Sequence, residues 1–298
     1  MRRTVPLPSV TIPDGYPLAL PGRGRTFVTD TPGPAGAPTL VLLHAVGCTG
    51  LLTWFPAIPA LAERFRVVTL DQRWHGQGIQ SHVFSLHDCA DDVASVIETL
   101  GLTDVIVAGY SMGSIVAQRT WRQHPDLVSG LVLAATTDRF RSSPSEMLFF
   151  QGMALSMRAL RGLSQSRTAT RAARSAARIL DVDDPDDLHD WALAEFRTTS
   201  PWAVGQAVAA LGRHHSTPWL RRIDVPTSVV VTSRDRVIPA DRQRALAMRI
   251  PGATMHEVDC GHAGCVLAAD AFVPTFLEAC ASTAARLRDQ RRFESNGS

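Results

Sequence analysis

Six short apolar runs set the rhythm of the chain: TLVLLH (39–44), RVVTLD (66–71), DVIVAGYS (104–111), LVLAAT (131–136), TSVVVTS (227–233) and the weaker TMHEVD (254–259). Each has the length and the bounding residues of a strand. RTFVTD (25–30) adds a first edge strand to an extended lead-in, because eight of the nineteen prolines fall in residues 1–38. Between the runs lie helical stretches. The clearest is SLHDCADDVASVIETLG, where Ser85 caps and Asp88 stands three residues on. Val93, Val96, Ile97 and Leu100 keep one face, and Gly101 ends the helix. Continuous apolar strands alternating with amphipathic helices predict an α/β protein with a mostly parallel central sheet, covered on both faces.

The rhythm stops between residues 138 and 218. SEMLFFQGMALSMRALRGLSQSRTATRAARSAARIL and PDDLHDWALAEFRTTSPWAVGQAVAALGRHH both read as helical. The expected organisation is therefore a core in two parts, 1–137 and 219–298, interrupted by a helical cap over 138–218.

In such a sheet, ligands bind beyond the carboxyl ends of the strands. GYSMG (109–113) follows a strand and opens a helix there. This G-x-S-x-G turn holds a serine oxygen, Ser111, exposed on rigid backbone, and glycines clear the space around it. The helix amino end directs N–H groups at the site, Met112 N–H among them. Small residues that merely pack a strand–turn–helix would read the same in five positions alone. A serine nucleophile needs a base, and the base an orienting acid. Asp235 stands at the end of TSVVVTS and His262 in the loop after TMHEVD, in the order Ser, Asp, His. Alone, Asp235 reads equally as a loop ion-pair acid and His262 as a surface histidine.

At these residues the chain resembles the α/β-hydrolase superfamily, over about residues 24–285. The resemblance rests on LLHAVG, DQRWHGQG, GYSMGS, SRDRVIP and CGHAGC. It is closest to cap-bearing soluble members: esterases, enol-lactonases and cofactor-free haloperoxidase-like enzymes. It implies that Ser111 is the nucleophile, His262 the base and Asp235 its orienting acid. The N–H groups of Val46 and Met112 would form the oxyanion hole. Serine at the elbow, where haloalkane dehalogenases and epoxide hydrolases carry aspartate, points to acyl substrates. Three positions depart from the common pattern: Ala45 where glycine usually follows His44, Trp74 in place of glycine in DQRWHGQG, and Ser114 in place of glycine after the elbow. Ala45 restricts the backbone that aims Val46 N–H, while Ser114 reads as a minor change.

Remaining signals change the picture less. A net charge of +2 gives no concentrated basic face for nucleic acid. No run reaches the ~18 apolar residues of a membrane span, and prolines interrupt any leader-like stretch. Five scattered cysteines fit reduced thiols in a cytoplasm rather than a disulfide framework. Cys260, His262 and Cys265 lack the partners of a zinc site, so no metal or cofactor is expected, and Cys48, Cys260 and Cys265 read as packing thiols. Arg167, Arg171, Arg174 and Arg178 share one helical face in the cap, with Arg158 and Arg161 before them. A solvated face explains them better than weak membrane-surface association. Met147, Leu148, Phe149, Phe150 and Met153 suit either an acyl pocket or cap core. His44 is expected to hold the oxyanion loop and His75 belongs to its turn. His214 and His215 close the cap, facing either cleft or solvent.

The resulting expectation is a serine hydrolase, carboxylesterase- or lipase-like, cleaving carboxylic esters through an acyl-enzyme. The alternatives are a lactonase, thioesterase or acyltransferase with the same residues, or a ligand-binding module on the same fold. Acyl length, alcohol and oligomeric state are not legible.

Overall fold

Leu40 and Leu42 point to one side of their strand, Val41 and Leu43 to the other, and all four are fully buried. That alternation on a continuous apolar run is what a strand buried on both faces requires. It places the strand in mid-sheet, and the computed structural model, which describes residues 12–140 and 188–296, puts it there. Eight strands run along the chain: β1 (Gly15–Leu20), β2 (Gly24–Thr31), β3 (Thr39–Leu43), β4 (Arg66–Leu70), β5 (Val105–Tyr110), β6 (Gly130–Ala134), β7 (Thr227–Thr232) and β8 (Thr254–Val258). They form one sheet in the order β1-β2-β4-β3-β5-β6-β7-β8. The β1–β2 and β2–β4 pairs are antiparallel, and every other pair is parallel.

The six expected strands are present; five are shorter by one or two residues at their ends, and β6 starts one residue earlier, at Gly130, and ends two earlier, at Ala134. The strand expected at 25–30 is β2, but it is not the edge: it is paired on both sides, by β1 and β4. The lead-in holds one more, β1, because Tyr16 to Leu20 pairs with β2 as a hairpin. Pro17 is tolerated within it because β1 is the sheet edge, where a missing N–H costs little.

Two apolar layers flank the sheet. One joins Val41, Leu43, Val68 and Val107 to helices α3 (Leu86–Thr99) and α4 (Met112–Gln123). The other joins Leu40, Leu42, Ile106 and Tyr110 to Trp54 of α1 (Gly50–Trp54), to α2 (Ile58–Ala62), and to Phe272 and Phe276 of the long final helix. Helix α3 starts as expected, with Ser85 Oγ accepting Asp88 N–H at 3.3 Å. It ends at Gly101, whose φ of 58° is the left-handed conformation that glycine adopts without strain.

The expected arginine face (158–178) and apolar run (147–153) lie outside the described residues. The later part of the interruption is described and helical: α5 (Leu188–Arg197) and α6 (Pro201–Leu211). The chain leaves and rejoins the sheet core at one place. Arg139 pairs with His215, and Ser216 N–H donates to Asp138 O at 2.8 Å. Helices α7 (Ala240–Arg249), α8 (Gly264–Leu267) and α9 (Ala269–Asn296) complete the described α-helices. Among the described residues no helix is long and apolar enough to cross a membrane.

Candidate active site

Ser111 sits between β5 and α4 with φ 53° and ψ −113°, a conformation that non-glycine residues rarely adopt. Its neighbours explain how the chain holds it. A Cβ on Gly109 would lie 2.2 Å from Gly113 C, and one on Gly113 would lie 2.1 Å from Leu43 O. Both glycines are therefore required for the strand, the turn and the end of β3 to approach this closely. Ser114 does more than its small size suggests. Its hydroxyl donates to Gly109 O at 2.6 Å and receives Ala134 N–H at 3.0 Å, stitching the elbow to β6.

The three residues expected to act together converge. His262 Nε2 is 3.1 Å from Ser111 Oγ, and His262 Nδ1 is 2.7 Å from Asp235 Oδ2. Asp235 is held from several sides. Its Oδ1 accepts the N–H groups of Val237 at 2.8 Å and Ile238 at 2.9 Å, and Oδ2 accepts Thr232 Oγ1 at 2.8 Å. Burial alone would raise its pKa. The His262 hydrogen bond and charge, with the Ile238 N–H and Thr232 bonds, outweigh that and hold the carboxyl below its ordinary value. An acid that stays ionised can keep the proton of the imidazole on Nδ1 and leave Nε2 free to accept from serine.

Gln243 on α7 was not legible as part of this network. It is fully buried, and its amide donates to Ile238 O at 2.7 Å and Asp235 Oδ2 at 3.2 Å while its oxygen accepts Thr232 N–H at 3.0 Å. Nothing in its sequence neighbourhood marks it, because the contact forms only when α7 packs back on β7.

The loop after β3 carries Val46. His44 Nε2 accepts Gln72 N–H at 2.8 Å, so the imidazole proton is on Nδ1, which donates to Ala45 O at 2.7 Å. Burial, with the charge of His75, lowers the His44 pKa well below 6.5 and keeps the ring neutral. In a trans peptide the carbonyl and the following N–H point in opposite directions. The His44–Ala45 bond therefore turns Val46 N–H away from His44. Met112 N–H is the first of α4 and has no helical acceptor by position.

Helices α5 and α6 roof this loop. A Cβ on Gly47 would lie 3.4 Å from Val204 Cγ2 and 4.0 Å from Phe196 Cε2. Thr49 Oγ1 donates to Glu195 Oε2 at 2.6 Å, and Gly76 N–H to Thr199 Oγ1 at 3.1 Å. Beneath them, Asp71 accepts Gly50 N–H and Gln77 N–H. Burial chiefly, with the charge of Glu195, raises its pKa to about 6 against those two bonds.

Trp74 has φ 66°, so the substitution in the DQRWHGQG turn falls at a left-handed position. Its indole compensates by donating to Ser81 O at 3.0 Å and packing on Phe84 with ring centroids 6.0 Å apart. The histidines closing the interruption divide: His214 is buried and His215 exposed. Cys260 and Cys265 are buried, Cys48 half-buried. Burial pushes the Cys260 and Cys48 thiols up to about 11, so they are not thiolates at neutral pH.

The alpha/beta hydrolase fold family matches residues 38–269. The magnesium-chelatase 30 kDa subunit of Rhodobacter capsulatus is 28% identical over 261 residues, covering 82% of this chain and 87% of its own. The poly(3-hydroxyalkanoate) depolymerase of Ectopseudomonas oleovorans is 28% identical over 248 residues, covering 83% and 86%. Among solved structures, the enol-lactonase from Burkholderia xenovorans has a TM-score of 0.68 at 24% identity, over 89% of this chain and all of that one, a likeness of fold. The match takes in β3 through the His262 turn, and with it every residue of the Ser111 site: the chain belongs to the alpha/beta hydrolase fold family.

Proposed function

We propose that the protein is a serine hydrolase that cleaves small carboxylic esters or lactones through an acyl-enzyme, with Ser111, His262 and Asp235 as its catalytic residues. The observation that carries this reading is the unbroken chain from Ser111 Oγ to His262 Nε2 at 3.1 Å and from Nδ1 to Asp235 at 2.7 Å. His262 takes the hydroxyl proton as Ser111 Oγ adds to the carbonyl carbon. The oxygen that becomes negative lies against the Met112 and Val46 N–H groups. His262 then gives its proton to the leaving alkoxide, and the ester's acyl group remains on Oγ. A water, deprotonated by the same Nε2, adds to the acyl carbon; the acyl–Oγ bond then breaks, His262 returns that proton to Ser111 Oγ, and the acid is released. No metal or cofactor enters these steps. The segment 138–218 acts as a cap, with Phe196 and Val204 as part of its wall over the site. Free thiols accord with a cytoplasmic setting.

The relative described as a chelatase subunit favours a second reading, a binding subunit on a hydrolase fold. One experiment separates them. The intact protein is treated with a fluorophosphonate and digested for mass spectrometry, and p-nitrophenyl esters from acetate to palmitate are assayed alongside. One adduct per chain on Ser111, with turnover lost in Ser111→Ala, is the expected result. Absence of both adduct and turnover would overturn the hydrolase reading and leave the binding subunit.

A further inference from the structure

The nucleophile and the base hang from strands that are not neighbours. Ser111 follows β5 and His262 follows β8, and β6 and β7 lie between them. At about 4.8 Å per strand step, the two strands are roughly 14 Å apart. β8 is also an edge strand, paired on one side only. The turn carrying His262 must therefore reach back across two strands and stay in register to within a hydrogen bond. Asp235 steadies the imidazole from the end of β7. It does not fix the backbone of residue 262.

Tyr110 does. It is the last residue of β5, next to the nucleophile, and it is 1% exposed. Its side chain leaves the sheet on the face opposite the elbow helix, and its hydroxyl donates to His262 O at 2.9 Å. The following residues close around the same oxygen: a Cβ on Gly264 would lie 3.9 Å from Tyr110 Oη. The ring is walled by Phe272 at 5.3 Å and Trp54 at 6.3 Å between centroids, both edge-on, with the His262 ring at 6.0 Å. We propose that Tyr110 is a positioning residue for the base, tying the His262 turn directly to the strand that carries Ser111 and so setting the nucleophile–base distance. The inference rests on the reading of Ser111 and His262 as nucleophile and base. Burial above all, with the nearby thiols and Asp235, raises the phenol pKa, so Tyr110 stays a donor at any pH where the protein works.

The test measures the rate at which Ser111 is labelled by a saturating fluorophosphonate, with kcat, KM and thermal midpoint beside it. Tyr110→Phe removes the hydroxyl and keeps the ring. Phe272→Leu loosens the same ring packing and leaves the hydroxyl bond in place. Tyr110→Phe is expected to lower the labelling rate and kcat on the order of tenfold, the equivalent of one lost hydrogen bond, with KM within twofold. Phe272→Leu is expected to lower the thermal midpoint at least as much and to label within twofold of wild type. Labelling of Tyr110→Phe at the wild-type rate would overturn the positioning role, as would an equal loss in Phe272→Leu, which would make the effect one of packing. Wild-type protein that does not label at all removes the nucleophile reading, and this inference with it.

Discussion

His44 donates through Nδ1 to the carbonyl of Ala45, its own neighbour, at 2.7 Å. Gln72 N–H fixes the tautomer from the other side of the ring. One buried imidazole thus sets the direction of the next peptide N–H, that of Val46. The backbone restriction that Ala45 brings is met by a hydrogen bond that selects one peptide orientation.

His44→Phe keeps a ring and loses both nitrogens. Gln72 N–H is then buried without an acceptor, and the Ala45–Val46 peptide is released. We expect kcat for ester hydrolysis to fall about tenfold to a hundredfold, less than the loss of a whole oxyanion donor, with KM nearly unchanged. Steady-state kinetics on a p-nitrophenyl ester decide this. A variant with wild-type kcat would remove His44 from the positioning of Val46.

Acid should destabilise the fold through buried histidines. Burial lowers the pKa of His75 to about 4 and, with the Arg119 charge, that of His214 to about 3, and it lowers His44 as well. Below about pH 6.5 the unfolded chain binds protons that the folded chain refuses, so stability falls as pH drops from there towards 4. Each such proton contributes about 1.4 kcal/mol per pH unit. Asp71 has the opposite sign. Its folded pKa is raised to about 6, so its contribution is greatest below about pH 4 and is lost as pH rises through 6. Three histidines outweigh one carboxyl. Among the described residues neither ring nitrogen of His214 has a hydrogen-bond partner. His214→Leu should therefore be near neutral at pH 7 and more stable than wild type at pH 5, as urea midpoints at the two pH values would record.

Trp74 reverses the usual ranking of alanine and glycine. Its φ of 66° costs a side chain about 1–2 kcal/mol that glycine does not pay. Trp74→Ala loses the indole and keeps the strain, whereas Trp74→Gly loses the indole and relieves it. Both should be less stable than wild type, with the glycine variant above the alanine variant by about 1 kcal/mol. Chemical denaturation of the pair gives the order directly.

Asp235 is surrounded by donors: two backbone N–H groups, Thr232, Gln243 and His262. Asparagine would turn an N–H₂ towards some of them and favour the wrong imidazole tautomer. Asp235→Asn is expected to cut kcat by about three to four orders of magnitude while leaving KM close to wild type. A loss below tenfold in the same assay would remove Asp235 from the relay.

The chain by itself determined every strand but the first, their mostly parallel character and the place of the elbow. Buried strands must be continuous apolar runs, and a serine between two glycines at the end of one marks the turn, though small packing residues would read the same over five positions alone. Local order also named Asp235 and His262, because each follows a strand whose carboxyl end faces the same edge of the sheet. What the chain could not state is anything fixed by contact across the fold. Gln243 holds Asp235 from another helix, Tyr110 reaches the His262 turn over 152 positions, and Ser114 joins the elbow to β6. A left-handed φ at Trp74 is likewise invisible in its letters. These depend on distances set when the sheet closes and its helices pack, and a hydrogen bond of that kind leaves no period in a sequence.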